Sequence, residues 1–257
     1  MHTLRWLWIA GFAATLYGQE PRAIFRNPEV RLLGAQPGRP REVVKGAPYS
    51  ADVSTEINRT LADGNKIHQI VTERLYRDSE GRTRRETSLT GIGIPAPPGG
   101  GPELAFIDDP VAGASYVLDL GAHTATRMPW RAPKSDGPLR RQLRVRAQDF
   151  NRKVESLARQ TIAGLPADGT RITQTIPAGQ IGNTLPIQVV TERWYSPDLQ
   201  TVILEKRSDP RSGDYIYQWT NIIRAEPPAS LFSVPADFPL SQALPPGGRA
   251  RGKRAQQ

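Results

Sequence analysis

The chain contains no cysteine. That excludes a disulfide framework, a thiol nucleophile and a thiolate metal site. Histidine is almost as scarce, and beyond His2 only His68 and His123 remain. No His-x-x-x-His or His-Glu-x-x-His spacing occurs, so the sequence gives no support to a transition-metal centre. There is no Gly-x-Ser-x-Gly elbow and no phosphate-cradling loop with its lysine. Gly99-Gly100-Gly101 has no lysine after it and reads as a linker. Asp108-Asp109 precedes Pro110 and reads as a strand-end turn rather than a cation site. Together these absences lead us to expect no enzyme, no cofactor and no metal. No apolar run approaches the roughly 20 residues that cross a bilayer, so the mature chain is expected to lack a transmembrane segment.

What is present begins with charge. Lysine and arginine number 34 against 25 acidic residues, a formal net charge of +9. Such an excess favours acidic partners. The N-terminus pairs Arg5 with the short apolar run Trp6–Leu16 and then turns polar at Gln19-Glu20-Pro21-Arg22. That order is the one a secretory signal peptide uses. A periplasmic or secreted location follows as the expectation. It argues against nucleic acid as a partner and leaves lipid or another envelope protein.

The remainder is dominated by short β-forming runs with turn chemistry between them. Asp63-Gly64 separates a run over 49–60 from one over 66–77, and Asp78-Ser79-Glu80-Gly81 separates the second from a third over 82–90. The Pro/Gly-rich stretch 91–102 cannot lie inside a sheet. Runs follow at 103–108, 114–118 and 124–128, and then at 153–162, 169–176, 186–195, 201–206 and 215–224. Gly164-Leu165-Pro166 is expected to separate two of them, and Asp209–Gly213 two others. Leu139, Leu143 and Ala147 are spaced as on one short helix between 139 and 150. The expected fold is mainly β: an antiparallel, strongly curved sheet or open half-barrel with at most one or two short helices. The expected layout is a signal peptide at 1–18, an irregular lead-in at 19–47, a single β-rich domain at 48–239 and a disordered basic tail at 240–257.

One eight-residue pattern occurs twice. Gln69-Ile70-Val71-Thr72-Glu73-Arg74-Leu75-Tyr76 is echoed by Gln188-Val189-Val190-Thr191-Glu192-Arg193-Trp194-Tyr195. Pleat alternation puts each glutamate among apolar neighbours, so each needs a cationic or backbone donor. Arg84 and Lys206, on the following strands, are the expected partners. The aromatic residues Trp194, Tyr195, Tyr215, Tyr217 and Trp219, with Leu75, are candidates to line a lipophilic concavity. Arg140, Arg141, Arg144 and Arg146 are candidates for contact with an anionic surface.

Three segments carry a resemblance: Leu75–Glu86, Ile162–Arg171 and Glu192–Thr201. They resemble a family of uncharacterised secreted acidobacterial proteins. The strand order, ending in Phe232 before Val234-Pro235, is also similar to the LolA-like superfamily of periplasmic carriers and sensors. That similarity implies an open half-barrel over an apolar cavity. The chain is therefore expected to be an exported envelope binding protein, holding a lipophilic or amphiphilic molecule in a concave sheet. The alternative is an envelope sensor or protein-interaction module with no small-molecule ligand.

Overall fold

Turn residues at short intervals cut this chain into hairpins, and a computed structural model shows how the hairpins join. It describes residues 42–88, 103–130 and 151–242. The segments expected to form a signal peptide (1–18) and a short helix (139–150), with Arg140, Arg141, Arg144 and Arg146, lie outside the described residues. Twelve strands form one sheet: β1 (Tyr49–Thr60), β2 (Lys66–Arg77), β3 (Thr83–Ser88), β4 (Glu103–Asp109), β5 (Ala114–Asp119), β6 (Thr124–Pro129), β7 (Arg152–Ile162), β8 (Leu165–Ile176), β9 (Ile187–Ser196), β10 (Thr201–Asp209), β11 (Gly213–Ile223) and β12 (Leu240–Gln242). The order is β12-β6-β5-β4-β3-β2-β1-β11-β10-β9-β8-β7. The two ends do not meet, so the sheet is open. Every pairing is antiparallel except β12 with β6.

Two differences from the sequence expectation stand out. β8 begins at Leu165, so the turn is only Ala163-Gly164, with φ of 48° and 81°. Two successive positive φ values suit a two-residue hairpin, and the chain re-enters the sheet at once. Pro166 stands second in β8, opposite Thr161. At the other end, the sheet recruits Leu240–Gln242, beyond the boundary placed at residue 239. A three-residue parallel strand has no periodicity that sequence could reveal.

The curvature is strong and has a measurable cause. Arg77 ends β2, and Leu199 lies in the turn between β9 and β10. β1 and β11 separate β2 from β10, which in a flat sheet is about 14 Å at the usual strand spacing. Yet the Arg77 Nη2–H donates to the Leu199 carbonyl at 2.6 Å. The sheet has therefore curled over the face that carries Tyr49, Ala51 and Val53 of β1. We call this the inner face. Its core gathers Tyr49, Val53, Leu75, Leu199, Tyr217 and Trp219. The register shifts between Val202 and Leu204, with the extra residue on β10, and between Ser50 and Asp52, with the extra residue on β11; such bulges bend the strand that carries them.

On β4–β6 the opposite face is covered instead. Ala105, Ile107, Leu118 and Ala125 pack there against Val234 and Phe238 of the C-terminal segment. A short 3-10 turn at Ala229–Phe232 starts that segment. The Arg84 Nη1–H holds it by donating to the Leu231 carbonyl at 2.9 Å. The Ala125 N–H donates to the Pro239 carbonyl at 3.1 Å.

The β10–β11 hairpin is locked by Asp209. Its buried carboxylate accepts from Nε and Nη2 of Arg211 at 2.9 and 2.8 Å, from the Arg211 backbone N–H at 3.1 Å and from Arg207 Nη2 at 3.1 Å. These bonds, those of the Arg211 side chain foremost, hold Asp209 well below the usual carboxylate range. A depressed folded-state pKa adds stability above the unfolded value of about 4, and that stability is lost as pH falls below it. Asp209→Asn is expected to cost about 1–2 kcal/mol at pH 7, the worth of hydrogen bonds to a charged acceptor. The gap from the parent should narrow as urea denaturation is repeated toward pH 3. An equal gap at both pH values would mean the charge is immaterial.

Candidate functional site

Hairpin register builds a trough on the outer face of β1–β3. β1 pairs with β2 so that Asp52 stands opposite Arg74 and Ser54 opposite Thr72. β2 pairs with β3 so that Arg74 stands opposite Glu86. Thr220 of β11 completes the row beside Asp52. These side chains, with Leu120, bound a cavity of about 580 Å³. Val53, Glu73, Thr87 and Leu104 also border it. Their side chains point to the inner face and are at least nine-tenths buried, so they contribute the floor. The trough is open, since the Arg74 side chain is 67% and the Asp52 side chain 43% exposed.

Charge alternates along the row. Arg74 Nε lies 3.4 Å from Asp52 Oδ1. The other oxygen, Asp52 Oδ2, accepts from Asn221 Nδ2 at 2.8 Å. Arg84 Nε donates to Glu86 Oε1 at 2.7 Å. Both carboxylates are thus paired; the Thr220 hydroxyl stands beyond Asp52 in the same row, and those of Ser54 and Thr72 in the adjacent row.

The aromatic residues expected to line a ligand lie elsewhere. Leu75, Tyr217 and Trp219 are buried on the inner face, together with the partly buried Tyr215. The Trp219 Nε1–H donates to the Tyr217 hydroxyl at 2.7 Å, and the Trp219 ring lies 4.9 Å from that of Tyr49. Trp219 is 1% exposed and Tyr217 2%. Burial raises the Tyr217 and Tyr215 hydroxyl pKa values and pushes that of Tyr49 up to about 12. Trp194 belongs to the same buried cluster. It stands opposite Gly169, where a Cβ would come within 3.0 Å of the indole nitrogen and 2.8 Å of Leu157 Cβ. Tyr195 is exposed at the end of β9. None of these residues borders the trough.

The glutamate partners also differ from expectation. Glu73 pairs with Arg85 at 3.4 Å and Glu192 with Arg171 at 2.5 Å. Arg84 is turned to Glu86, and Lys206 lies over the Trp194 ring at 5.9 Å. The two echoed strands sit out of phase in the sheet. Val53 opposes both Glu73 and Trp219, which puts Glu73 on the inner face. Tyr217, on that face, opposes Glu205, which in turn opposes Arg193. Glu192 is therefore on the outer face, and the inner-face counterpart of Glu73 is Glu205. His68 Nδ1 meets the Asn58 side chain at 2.6 Å, and His123 stacks on Phe238 at 5.1 Å. Asp109 Oδ1 accepts from the Val111 and Ala112 N–H groups, closing an ordinary turn.

No family model matches the chain. No curated protein matches it in sequence. Solved structures do. The chain is similar to a Pseudomonas aeruginosa MucA/MucB complex, at 14% identity over 86% of this chain and 68% of that one, with a TM-score of 0.43. It is similar to a conserved protein of Thermus thermophilus, at 11% identity over 77% and 91% of the two chains, with a TM-score of 0.41. It is similar to a LolA superfamily protein of Nitrosomonas europaea, at 8% identity over 75% and 93%, with a TM-score of 0.31.

The three segments behind the family resemblance converge in space. Arg77 of the first bonds to Leu199 of the third. Leu165 and Ala167 of the second join Leu75, Trp194 and Leu199 in one core cluster. In the first segment, Asp78 Oδ1 accepts from the Glu80 and Arg82 N–H groups, and Glu226 takes the Ser79 N–H. These residues serve the junction that fixes the curl.

Proposed function

We propose that this chain is a non-catalytic binding module of the cell envelope that holds a small polar or amphiphilic molecule in the outer-face trough of β1–β3. The observation that carries the proposal is the trough itself. Its 580 Å³ falls within the range of about 300–1,000 Å³ common to ligand sites. Its walls combine paired charges, three hydroxyls and Leu120. Among the described residues bordering it there is no histidine, so Ser54, Thr72 and Thr220 have no imidazole base to activate them. The export-type N-terminus supports an envelope location. On the inner face, the Trp219 Nε1–H donates to the Tyr217 hydroxyl and the Trp219 ring lies against that of Tyr49.

Thr72→Trp tests the proposal. Thr72 is exposed, so an indole there fills the trough without entering the core. Native mass spectrometry of protein purified from its own host is expected to show a bound molecule in the parent and none in the variant. The melting temperature of the ligand-stripped proteins should agree within about 2 °C, as for a neutral surface change. A variant that keeps the molecule, or a parent that neither copurifies with one nor binds one in titration, overturns the proposal.

A further inference from the structure

We infer that the trough selects a neutral, hydroxyl-rich ligand surface, that of a saccharide or a sugar head group; this rests on the trough being the binding site. The first argument is charge. The protein carries a net +9, but the trough takes no part in that excess. Along its row the signs run Asp52, Arg74, Glu86, with Arg84 closing on Glu86. Each carboxylate already has an arginine. An anionic ligand at Arg74 meets a carboxylate on either side, and a cationic one at Asp52 or Glu86 meets an arginine already paired there, so the row favours neither sign. A neutral ligand leaves both pairs intact.

The second argument is hydrogen-bonding capacity. An ionised carboxylate offers about four acceptor positions. Asp52 uses one on each oxygen, and Glu86 accepts Arg84 on Oε1. Acceptor capacity is left on both. Arg74 is two-thirds exposed and presents donors between them. Ser54, Thr72 and Thr220 can each donate and accept. The row therefore offers acceptor, donor and acceptor side by side, with Arg74 Nε 3.4 Å from Asp52 Oδ1. Hydroxyls, which donate and accept together, use such an array fully. An acyl chain uses none of it and would leave these groups desolvated and unpaired. Leu120 supplies one apolar flank, enough for the C–H face of a sugar ring.

The full-length protein, stripped of ligand, is titrated by isothermal calorimetry against three probe sets. These are a broad panel of neutral oligosaccharides, the matching uronic-acid oligosaccharides, and phosphatidylglycerol vesicles. At least one neutral saccharide is expected to bind. Its affinity should fall at least tenfold in Asp52→Asn and in Glu86→Gln and vanish in Thr72→Trp. Should either carboxamide variant fail to fold, Arg74→Gln replaces it, with the same tenfold loss expected. Silence across the whole neutral panel overturns the inference. So does tighter binding of the uronic-acid set or of the vesicles, or neutral-sugar binding that survives Thr72→Trp. The two proposals separate in the mass-spectrometric experiment. A copurified charged or acyl-chain amphiphilic molecule lost in Thr72→Trp overturns the ligand class and leaves the trough as the site. No copurified molecule, together with no titration by any probe, overturns both.

Discussion

Arg77→Ala is expected to destabilise the fold by about 4 kcal/mol, the sum of two buried carbonyls losing their donor at about 1–3 kcal/mol each and of the stem leaving the core. The guanidinium is 2% exposed. Its Nε–H and Nη2–H donate to the Ala47 carbonyl at 2.9 and 2.8 Å, and Nη2–H also to the Leu199 carbonyl. Its central carbon lies 4.7 Å above the Tyr49 ring. Burial lowers the Arg77 pKa, as it must for a cation taken out of water. One residue thus joins the segment entering β1 to the β9–β10 turn, across the sheet. Alanine removes the stem from the core and leaves two carbonyls short of a donor, each worth about 1–3 kcal/mol when buried. Arg77→Met refills the stem volume but not the bonds, so its loss should be smaller, about 2 kcal/mol. Urea denaturation of the parent and both variants checks the order. If alanine and methionine cost the same small amount, the clasp contributes nothing to the curl.

Gly213→Ala should cost about 3 kcal/mol, because strain and collision add. Gly213 has a φ of 93° and pairs with Asp209 at the end of the β10–β11 hairpin. A Cβ there would sit 2.1 Å from the Asn58 carbonyl oxygen and 3.0 Å from Arg59 Cα. Both atoms are backbone of β1, so relief means parting β1 from β11, the centre of the sheet. Gly64 is the control. Its φ of 83° is similar, but nothing lies within 4 Å of its absent Cβ. Gly64→Ala should therefore show the conformational strain alone, about 1 kcal/mol. Thermal or urea unfolding of the two variants separates the contributions. Equal losses would show that the β1 backbone yields freely.

Much of the trough was legible before the structure. The Asp63-Gly64 turn sets Thr60 opposite Lys66, and counting back from it places Asp52 opposite Arg74 and Ser54 opposite Thr72. The second turn does the same for Glu86. The aromatic residues do not locate a site by themselves, because large apolar side chains mark both cores and ligand pockets. Tyr217 and Trp219 carry the same local pattern in either role. Only their mutual contact, with Tyr49 from another strand, shows that they fill the interior. Thr220 and Asn221 could not be assigned to the site from sequence, since they arrive through the β1–β11 pairing, far apart along the chain. The glutamate partners failed for a related reason. Arg84 and Arg85 are adjacent, so a shift of one residue in phase exchanges which of them meets Glu73.

The sequence by itself determined the hairpins: turn dipeptides and β-forming runs act over a few residues, and their energetics are local. The tertiary structure decided which face curls inward, which arginine meets which carboxylate and where a cavity remains. Those outcomes depend on how strands distant in the chain pair and on the bulges that bend them. No local preference encodes that, because the pleat offers each side chain two faces and only the assembled sheet makes them different.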